Sequence, residues 1–108
     1  MVNAELRMTS SSCACLSGDL LNSTVIEVIE PGKHLLSKAG SEWTVDMSGV
    51  GRVSSVGVAL ILEWLRAANE QNTTLKIKNL PQHMLPIIDI SDLQPVIEPL
   101  LDRSSRAK

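Results

Sequence analysis

The segment between residues 43 and 78 constrains the fold more than any other part of the chain. Four patterns follow one another there: a short β-rich run, a tight loop, an amphipathic helix and an alternating strand. They occupy Trp43–Met47, Ser48–Gly51, a helix from Ser54 or Ser55 to Ala68 or Gln71, and Leu75–Lys78. A strand, a helix and a second strand in this order predict a βαβ unit with parallel neighbours and a right-handed crossover. The chain is therefore expected to have an α/β fold.

The length of 108 residues corresponds to one domain. A hydrophobic share of 44% with 20% charged residues is enough to form a core, and it excludes a wholly disordered chain. We expect one domain over residues 1–101, and a polar, frayed C-terminal tail over residues 102–108.

The N-terminal part predicts a hairpin followed by a helix. Apolar and charged residues alternate over Ala4–Met8, serines supply a turn, and a small apolar run, Cys13–Leu16, follows and ends at Gly18. Thr24–Glu27 has the spacing of a capping box, so a helix is expected to begin at Thr24.

Two features interrupt or end that first helix, and two short segments close the chain. Pro31-Gly32 is expected to kink or split the helix, and Gly40 to end it. The stretches 82–90 and 93–101 have apolar residues at helical spacing but contain three prolines, which predicts short, irregular helices.

Charge and composition exclude several classes of function. The formal net charge is −2, and Trp43 and Trp64 are the two aromatic residues, so neither a basic surface nor base-stacking rings point to nucleic acid. The longest apolar run, residues 56–62, is too short to cross a bilayer, and the first twenty residues lack a secretion signal. We expect a cytoplasmic protein without direct membrane insertion.

No residue pattern indicates catalysis or a metal site. Cys13 and Cys15 form an isolated C-x-C without matching ligands, so reduced, partly buried thiols are expected. His34 and His83 have no partners at a catalytic spacing, and Asp46 is interpreted as a brace for the adjacent loop. Phosphate-binding and dinucleotide-binding glycine motifs are absent from the sequence. No enzymatic activity, cofactor, metal or small-molecule substrate is predicted.

The helix after the loop has more apolar surface than one sheet contact requires. One arc of four apolar residues is expected to face the sheet, and a second set flanks a charged stripe that contains Glu63, Arg66 and Glu70. The first arc is Val58, Ile61, Leu62 and Leu65, and the second set is Val56, Leu60, Trp64 and Ala67. Either another helix of this chain or a partner protein covers the second set, and in the latter case Trp64 would be the anchor.

Two serines stand where the loop becomes the helix. Ser54 and Ser55 are suited to capping the helix, and the macrodipole also favours a phosphate at this position. Arg52, two residues earlier, is able to pair with an anion or with an acidic partner.

Residues 45–66, from Val45-Asp46-Met47-Ser48-Gly49 through the two serines to Glu63-Trp64-Leu65-Arg66, resemble the signature of STAS domains. These are the sulfate-transporter and anti-sigma-factor-antagonist modules. The segments Leu16–Leu20 and Leu75–Leu80 also fit, so the resemblance extends over about 90 residues. It implies a single α/β domain with a mixed sheet of four to five strands, helices packed on it, no catalytic activity, and a role in docking on a partner.

Within this family the sequence is most similar to the small subunits of bacterial phospholipid-trafficking ABC transporters. That resemblance implies docking on the cytoplasmic ATPase subunit, and through it on the permease, in support of complex assembly and outer-membrane lipid asymmetry. The protein would then be cytoplasmic and peripheral to the inner membrane. The residues expected at the partner contact are Arg52, Ser54, Ser55, Val56, Ala59, Glu63 and Trp64.

The alternative is an anti-sigma-factor antagonist switched by phosphorylation. Ser55 matches the serine that a kinase phosphorylates in those members, and Ser54 is the second candidate for regulation. In this chain Ser54 replaces the acidic residue of that motif, and Val56 replaces the small residue after the serine.

Overall fold

Four strands form one mixed sheet in the computed structural model, which describes residues 4–101. The strands lie side by side in chain order. They are β1 (Glu5–Ser10), β2 (Cys13–Leu20), β3 (Glu42–Val53) and β4 (Thr74–Lys78). β1 is antiparallel to β2, whereas β2, β3 and β4 are parallel to one another. The predicted hairpin and the parallel pairing of β3 with β4 are confirmed, and the predicted tail lies outside the described residues.

Two long helices connect the parallel strands, and short helical segments follow β4. α1 (Ile26–Lys38) joins β2 to β3, and α2 (Ser55–Glu70) joins β3 to β4. The later segments are a 3-10 turn at Gln82–Met84, α3 (Leu85–Ile90), α4 (Gln94–Ile97) and a 3-10 turn at Glu98–Leu100. The short, irregular C-terminal helices are thus confirmed.

The helices cover one face of the sheet. Along each inner strand, buried residues alternate with half-buried ones, because successive side chains point to opposite faces. Buried side chains on the covered face include Ala14, Leu16, Val45, Met47, Leu75 and Ile77. The opposite face has Cys13, Cys15, Thr44, Asp46, Lys76 and Lys78, which are all half-buried. This second face of the sheet is mostly polar, and it is here called the open face.

β3 is longer than predicted. The stretch expected to be a tight loop, Ser48–Gly51, continues the strand and pairs with β2, and the register shifts twice along this pairing. A Cβ at Gly49 would lie 2.8 Å from Ser17 Cβ, and one at Gly51 would lie 2.8 Å from an Asp19 carboxylate oxygen. These glycines therefore permit close approach between two strands. The loop prediction was wrong because glycine is common both in tight loops and in strands that approach each other closely.

α1 begins two residues later than predicted, and the predicted capping box is not formed. The Thr24 hydroxyl donates to the Asp19 carbonyl at 2.6 Å and accepts the Leu21 N–H at 2.9 Å. Its oxygen therefore stabilises the turn before the helix, and α1 starts at Ile26 without a side-chain cap.

α1 is one continuous helix through Pro31 and Gly32, so the predicted split does not occur. Gly32 is buried against the indole of Trp64, and its missing side chain lets the two helices approach closely. The Trp64 Nε1–H donates to the Ile29 carbonyl at 3.1 Å, and the Trp64 ring meets the Trp43 ring edge-on at 5.3 Å between centroids. This packing offsets the cost of a proline inside a helix.

α1 therefore covers Trp64, the largest residue of the second apolar set of α2. Leu60 and Ala67 are also buried within the chain, whereas Val56 is half-buried. Of the arc predicted to face the sheet, Val58 and Ile61 are buried, whereas Leu62 and Leu65 are half-buried. The buried face is shifted because α2 packs against α1 as well as against the sheet.

We predict that Gly32→Ala lowers the free energy of unfolding by about 1–3 kcal/mol, because the added methyl group overlaps a ring that cannot move aside. Urea denaturation followed by tryptophan fluorescence measures the change. Ser37→Ala, at an exposed position of the same helix, is the control, and an equal effect of both substitutions would contradict the packing argument.

Candidate functional site

The candidate site lies at the edge of the sheet where the parallel strands end, here called the carboxyl edge. It comprises residues 21–25 after β2, residues 51–55 at the junction of β3 and α2, and residues 79–83 after β4. Since β2, β3 and β4 are parallel, these three segments leave the sheet on the same side.

The two serines of the carboxyl edge have different environments. Ser54 is the N-cap residue of α2: its backbone is extended, its hydroxyl accepts the Val56 N–H at 3.4 Å, and its own N–H donates to the Leu20 carbonyl at 3.1 Å. Ser55 is the first residue of the helix, and it is exposed. Ser54 thus stabilises the start of α2, whereas the exposed side chain of Ser55 is accessible to a partner.

A buried carboxylate joins the ends of β2 and β3. Asp19 is 5% exposed, and its Oδ1 accepts the backbone N–H of Arg52 at 2.9 Å. Gly18, just before it, has φ of +91°, a conformation that favours glycine. Residue patterns alone did not single out Asp19, although the Gly18-Asp19 pair was visible within the segment that resembles the family.

His83 fastens the segment after β4 to the same edge. Its Nε2 lies 2.6 Å from the Gly51 carbonyl oxygen, so this ring nitrogen is the donor. The histidine therefore holds the segment after β4 against β3.

The exposed side of α2 carries a stripe at helical spacing. Ser55 and Ala59 are exposed, and Glu63 follows one turn later in an ion pair with Lys33 of α1 at 2.8 Å. The hydrogen bond from Lys33 lowers the pKa of Glu63, and the same bond raises the pKa of Lys33. Arg66 lies 3.8 Å from the other oxygen of Glu63. Glu63 is thus already paired within the chain. Its partner Lys33 lies 30 residues away, and no sequence pattern predicted this pair.

The structure brings most of the predicted contact residues together. Arg52, Ser54, Ser55 and Val56 are consecutive or nearly so at the carboxyl edge, and Ala59 and Glu63 continue along α2. Trp64 does not belong to this surface, because it is fully buried beneath α1. Its prediction as a partner anchor was therefore wrong.

Asp46 lies within β3, on the open face of the sheet. Burial opposes its ionisation, but its Oδ1 accepts the side-chain N–H of Asn79 at 3.0 Å and the N–H of Ser48 at 2.9 Å. Together with the nearby charge of Lys78, these bonds lower the pKa of Asp46 below its ordinary value. The carboxylate braces β3 against the segment after β4.

Residues 4–101 contain neither a candidate metal-binding group nor a candidate membrane-spanning helix. Over residues 4–101, no group of three or more His, Cys, Asp or Glu side chains is placed to hold a metal, and Cys13 and Cys15 are free, half-buried thiols. Within the same range, no helix combines the length and apolar character that crossing a membrane requires.

Comparison with known families decides the relationship. The family model described as "Mlab, STAS domain" matches residues 7–101. The chain belongs to this STAS family. No curated protein matches this STAS domain in sequence.

Solved structures with the same fold include the anti-sigma factor antagonist SpoIIAA in its unphosphorylated form. It has a TM-score of 0.62 at 16% identity, over 81% of this STAS domain and 82% of that chain. The phosphorylated Bacillus cell fate determinant SpoIIAA has a TM-score of 0.66 at 17% identity, over 92% and 88% of the two chains. A structure named Mglu has a TM-score of 0.59 at 17% identity, over 75% of this domain and 20% of that chain. At these identities the likeness shows the fold alone.

We predict that Ser54→Ala destabilises the domain by about 1 kcal/mol, because the first turn of α2 loses its cap. Ser55→Ala, one residue away and exposed, is the matched control and should stay within about 0.5 kcal/mol of the wild type. Chemical denaturation measures both, and equal losses would contradict the separate roles of the two serines.

A second prediction concerns acid. Since folding lowers the pKa of Asp46, its ionised form stabilises the fold above the ordinary pKa of about 4, and this contribution is lost as the pH falls through the lowered value. The stability difference between the wild type and Asp46→Asn should therefore be largest at neutral pH and shrink below about pH 4. Denaturation curves between pH 7 and pH 2.5 test this, with Glu70→Gln as an exposed control; a difference that is constant across that range would refute it.

Proposed function

We propose that this protein is the non-catalytic STAS subunit of a phospholipid-trafficking ABC transporter of the Mla type. It docks through the carboxyl edge on the cytoplasmic, MlaF-like ATPase subunit, and through it on the permease, at the inner membrane. Docking supports assembly and activity of the transporter, and so helps to maintain the lipid asymmetry of the outer membrane. The observation that carries this proposal is the match of the Mlab family model over residues 7–101.

The carboxyl edge has the properties of a preorganised docking surface. Its buried or polar groups are already engaged with backbone: Asp19 with the Arg52 N–H, Ser54 with the Val56 N–H, and His83 with the Gly51 carbonyl. These bonds hold the edge in place before a partner arrives, which reduces the entropic cost of association. Because these side chains are already hydrogen-bonded to the backbone, the edge is better suited to binding a partner than to catalysing a reaction.

The exposed residues of this edge differ from the bonded ones. Ser55 and Ala59 are small and exposed at the start of α2, and Arg52 contributes an exposed charge beside them. Small side chains allow a close approach of a partner surface, and a rim arginine favours an acidic one. Of the second apolar set of α2, Leu60, Trp64 and Ala67 are buried and contribute nothing to this surface, whereas Val56 is half-buried beside Ser55.

A second function is an anti-sigma-factor antagonist controlled by phosphorylation of Ser55. It is favoured by the similarity in fold to SpoIIAA in both of its forms and by the exposure of Ser55 at a helix N-terminus, where the macrodipole favours negative charge. Ser54 stands where such antagonists have an acidic residue, and this departure favours the transporter subunit.

A pull-down of the tagged chain from its own host, with mass spectrometry of bait and captured proteins, tests the two proposals. An ABC-type ATPase with its permease and an unmodified Ser55 would support the transporter subunit. A kinase or an anti-sigma factor, with phosphate on Ser55, would overturn it in favour of the switch.

We predict that Ser55→Glu and Ser55→Arg each weaken binding to the ATPase at least about tenfold, because bulk and charge enter the centre of the docking surface. Isothermal titration with the purified ATPase measures the affinity, and thermal melts confirm that the variants fold. Ser37→Glu, at an exposed site near the far end of α1, is the control. Unchanged affinity in both Ser55 variants would refute the proposed contact.

A further inference from the structure

The outer edge of β1 carries a surface that the docking proposal does not use. β1 is the first strand of the sheet, and its only strand partner among residues 4–101 is β2. Along its outer side, backbone N–H and C=O groups are thus left without a ladder, which makes the edge a template for another strand. Arg7 and Met8 are exposed there, and Met8 is 53% exposed.

The side chains of β1 alternate between the two faces of the sheet. Leu6 pairs with the buried Leu16 and lies on the helix-covered face, as does Met8, which pairs with Ala14. Glu5 and Arg7 lie on the open face, where they are exposed. One strand therefore presents an apolar row on one face and a pair of opposite charges on the other.

This arrangement is self-complementary for one antiparallel register. In a two-fold antiparallel dimer centred on Leu6, the residue before Leu6 faces the partner's residue after Leu6. Glu5 therefore opposes the partner's Arg7, and Arg7 opposes the partner's Glu5. A centre at Glu5 or at Arg7 would instead place like charges opposite each other, which is unfavourable.

We propose that β1 pairs with β1 of a second copy of this chain, and that this pairing joins two four-stranded sheets into one of eight strands. On the covered face, the half-buried Leu6 meets the partner's Leu6. On the open face, two Glu5–Arg7 pairs close the interface. Because Glu5 and Arg7 complement each other across the two-fold axis, these charges favour a second copy of this chain as the occupant, and they favour the register centred on Leu6.

The dimer should be weak. One strand of six residues covers much less surface than the roughly 1,200 Å² that specific, stable interfaces bury. We expect a concentration-dependent equilibrium with a dissociation constant in the micromolar to millimolar range, and weaker association at high salt because the charge pairs are exposed.

Charge exchange tests the register directly. Sedimentation velocity over a concentration series compares the wild type with Glu5→Arg, Arg7→Glu, and the double variant with both substitutions. Each single variant opposes like charges and should associate at least about tenfold more weakly. The double variant restores opposite charges across the two-fold axis and should associate like the wild type. Glu70→Arg, on the exposed side of α2, is the control for net charge.

A mixture provides the decisive measurement. Equimolar Glu5→Arg and Arg7→Glu chains, which associate poorly alone, should form a heterodimer, since one edge is then basic and the other acidic. Thermal melts establish that every chain is folded. A wild type that stays monomeric at millimolar concentration, or single variants that associate as strongly as the wild type, would overturn the proposal; a monomeric chain that instead adds a foreign extended peptide to this edge would assign the edge to another occupant.

Discussion

The contact between Gly32 and Trp64 is the interaction on which the arrangement of this domain depends. Gly32 has no side chain, and this allows α1 to lie directly on the indole of Trp64. The indole in turn donates its N–H to the Ile29 carbonyl and packs edge-on against Trp43 of β3. One aromatic residue thus contacts α1 and the inner strand β3, and it holds α2 against both.

The same packing bears on where the proposed docking surface lies. Because Leu60, Trp64 and Ala67 of α2 are buried, the proposed surface consists of the strand ends and the outer stripe of α2. Asp19, Ser54 and His83 stabilise those strand ends through backbone bonds, and they leave Arg52 and Ser55 exposed. Rigidity and accessibility therefore come from different residues in the same short segments.

Local patterns in the sequence predicted what depends on nearest neighbours. The alternation in Ala4–Met8, the start of α2 at Ser54 or Ser55 and the short C-terminal helices were all visible as periodicity or capping chemistry. Gly49 and Gly51 misled because their role depends on Ser17 and Asp19 in another strand.

Contacts between distant parts of the chain could not be predicted in the same way. The width of the apolar face of α2 was correctly recognised, but periodicity does not say what covers such a face, so Trp64 remained open between core and interface. The Lys33–Glu63 pair joins two helices across 30 residues, and no spacing rule reveals it. The relationship to STAS domains, by contrast, was carried by one contiguous run of residues.

The adjacent serines have a consequence for how this surface can change during evolution. Ser54 holds the helix through its hydroxyl, whereas Ser55 makes its side chain available to the outside. Under the proposed docking, a substitution of Ser55 changes the contact with the partner while the helix keeps its cap, so new specificity can be selected without a loss of folded protein. Domains built on such a junction can diversify their partners and retain one scaffold.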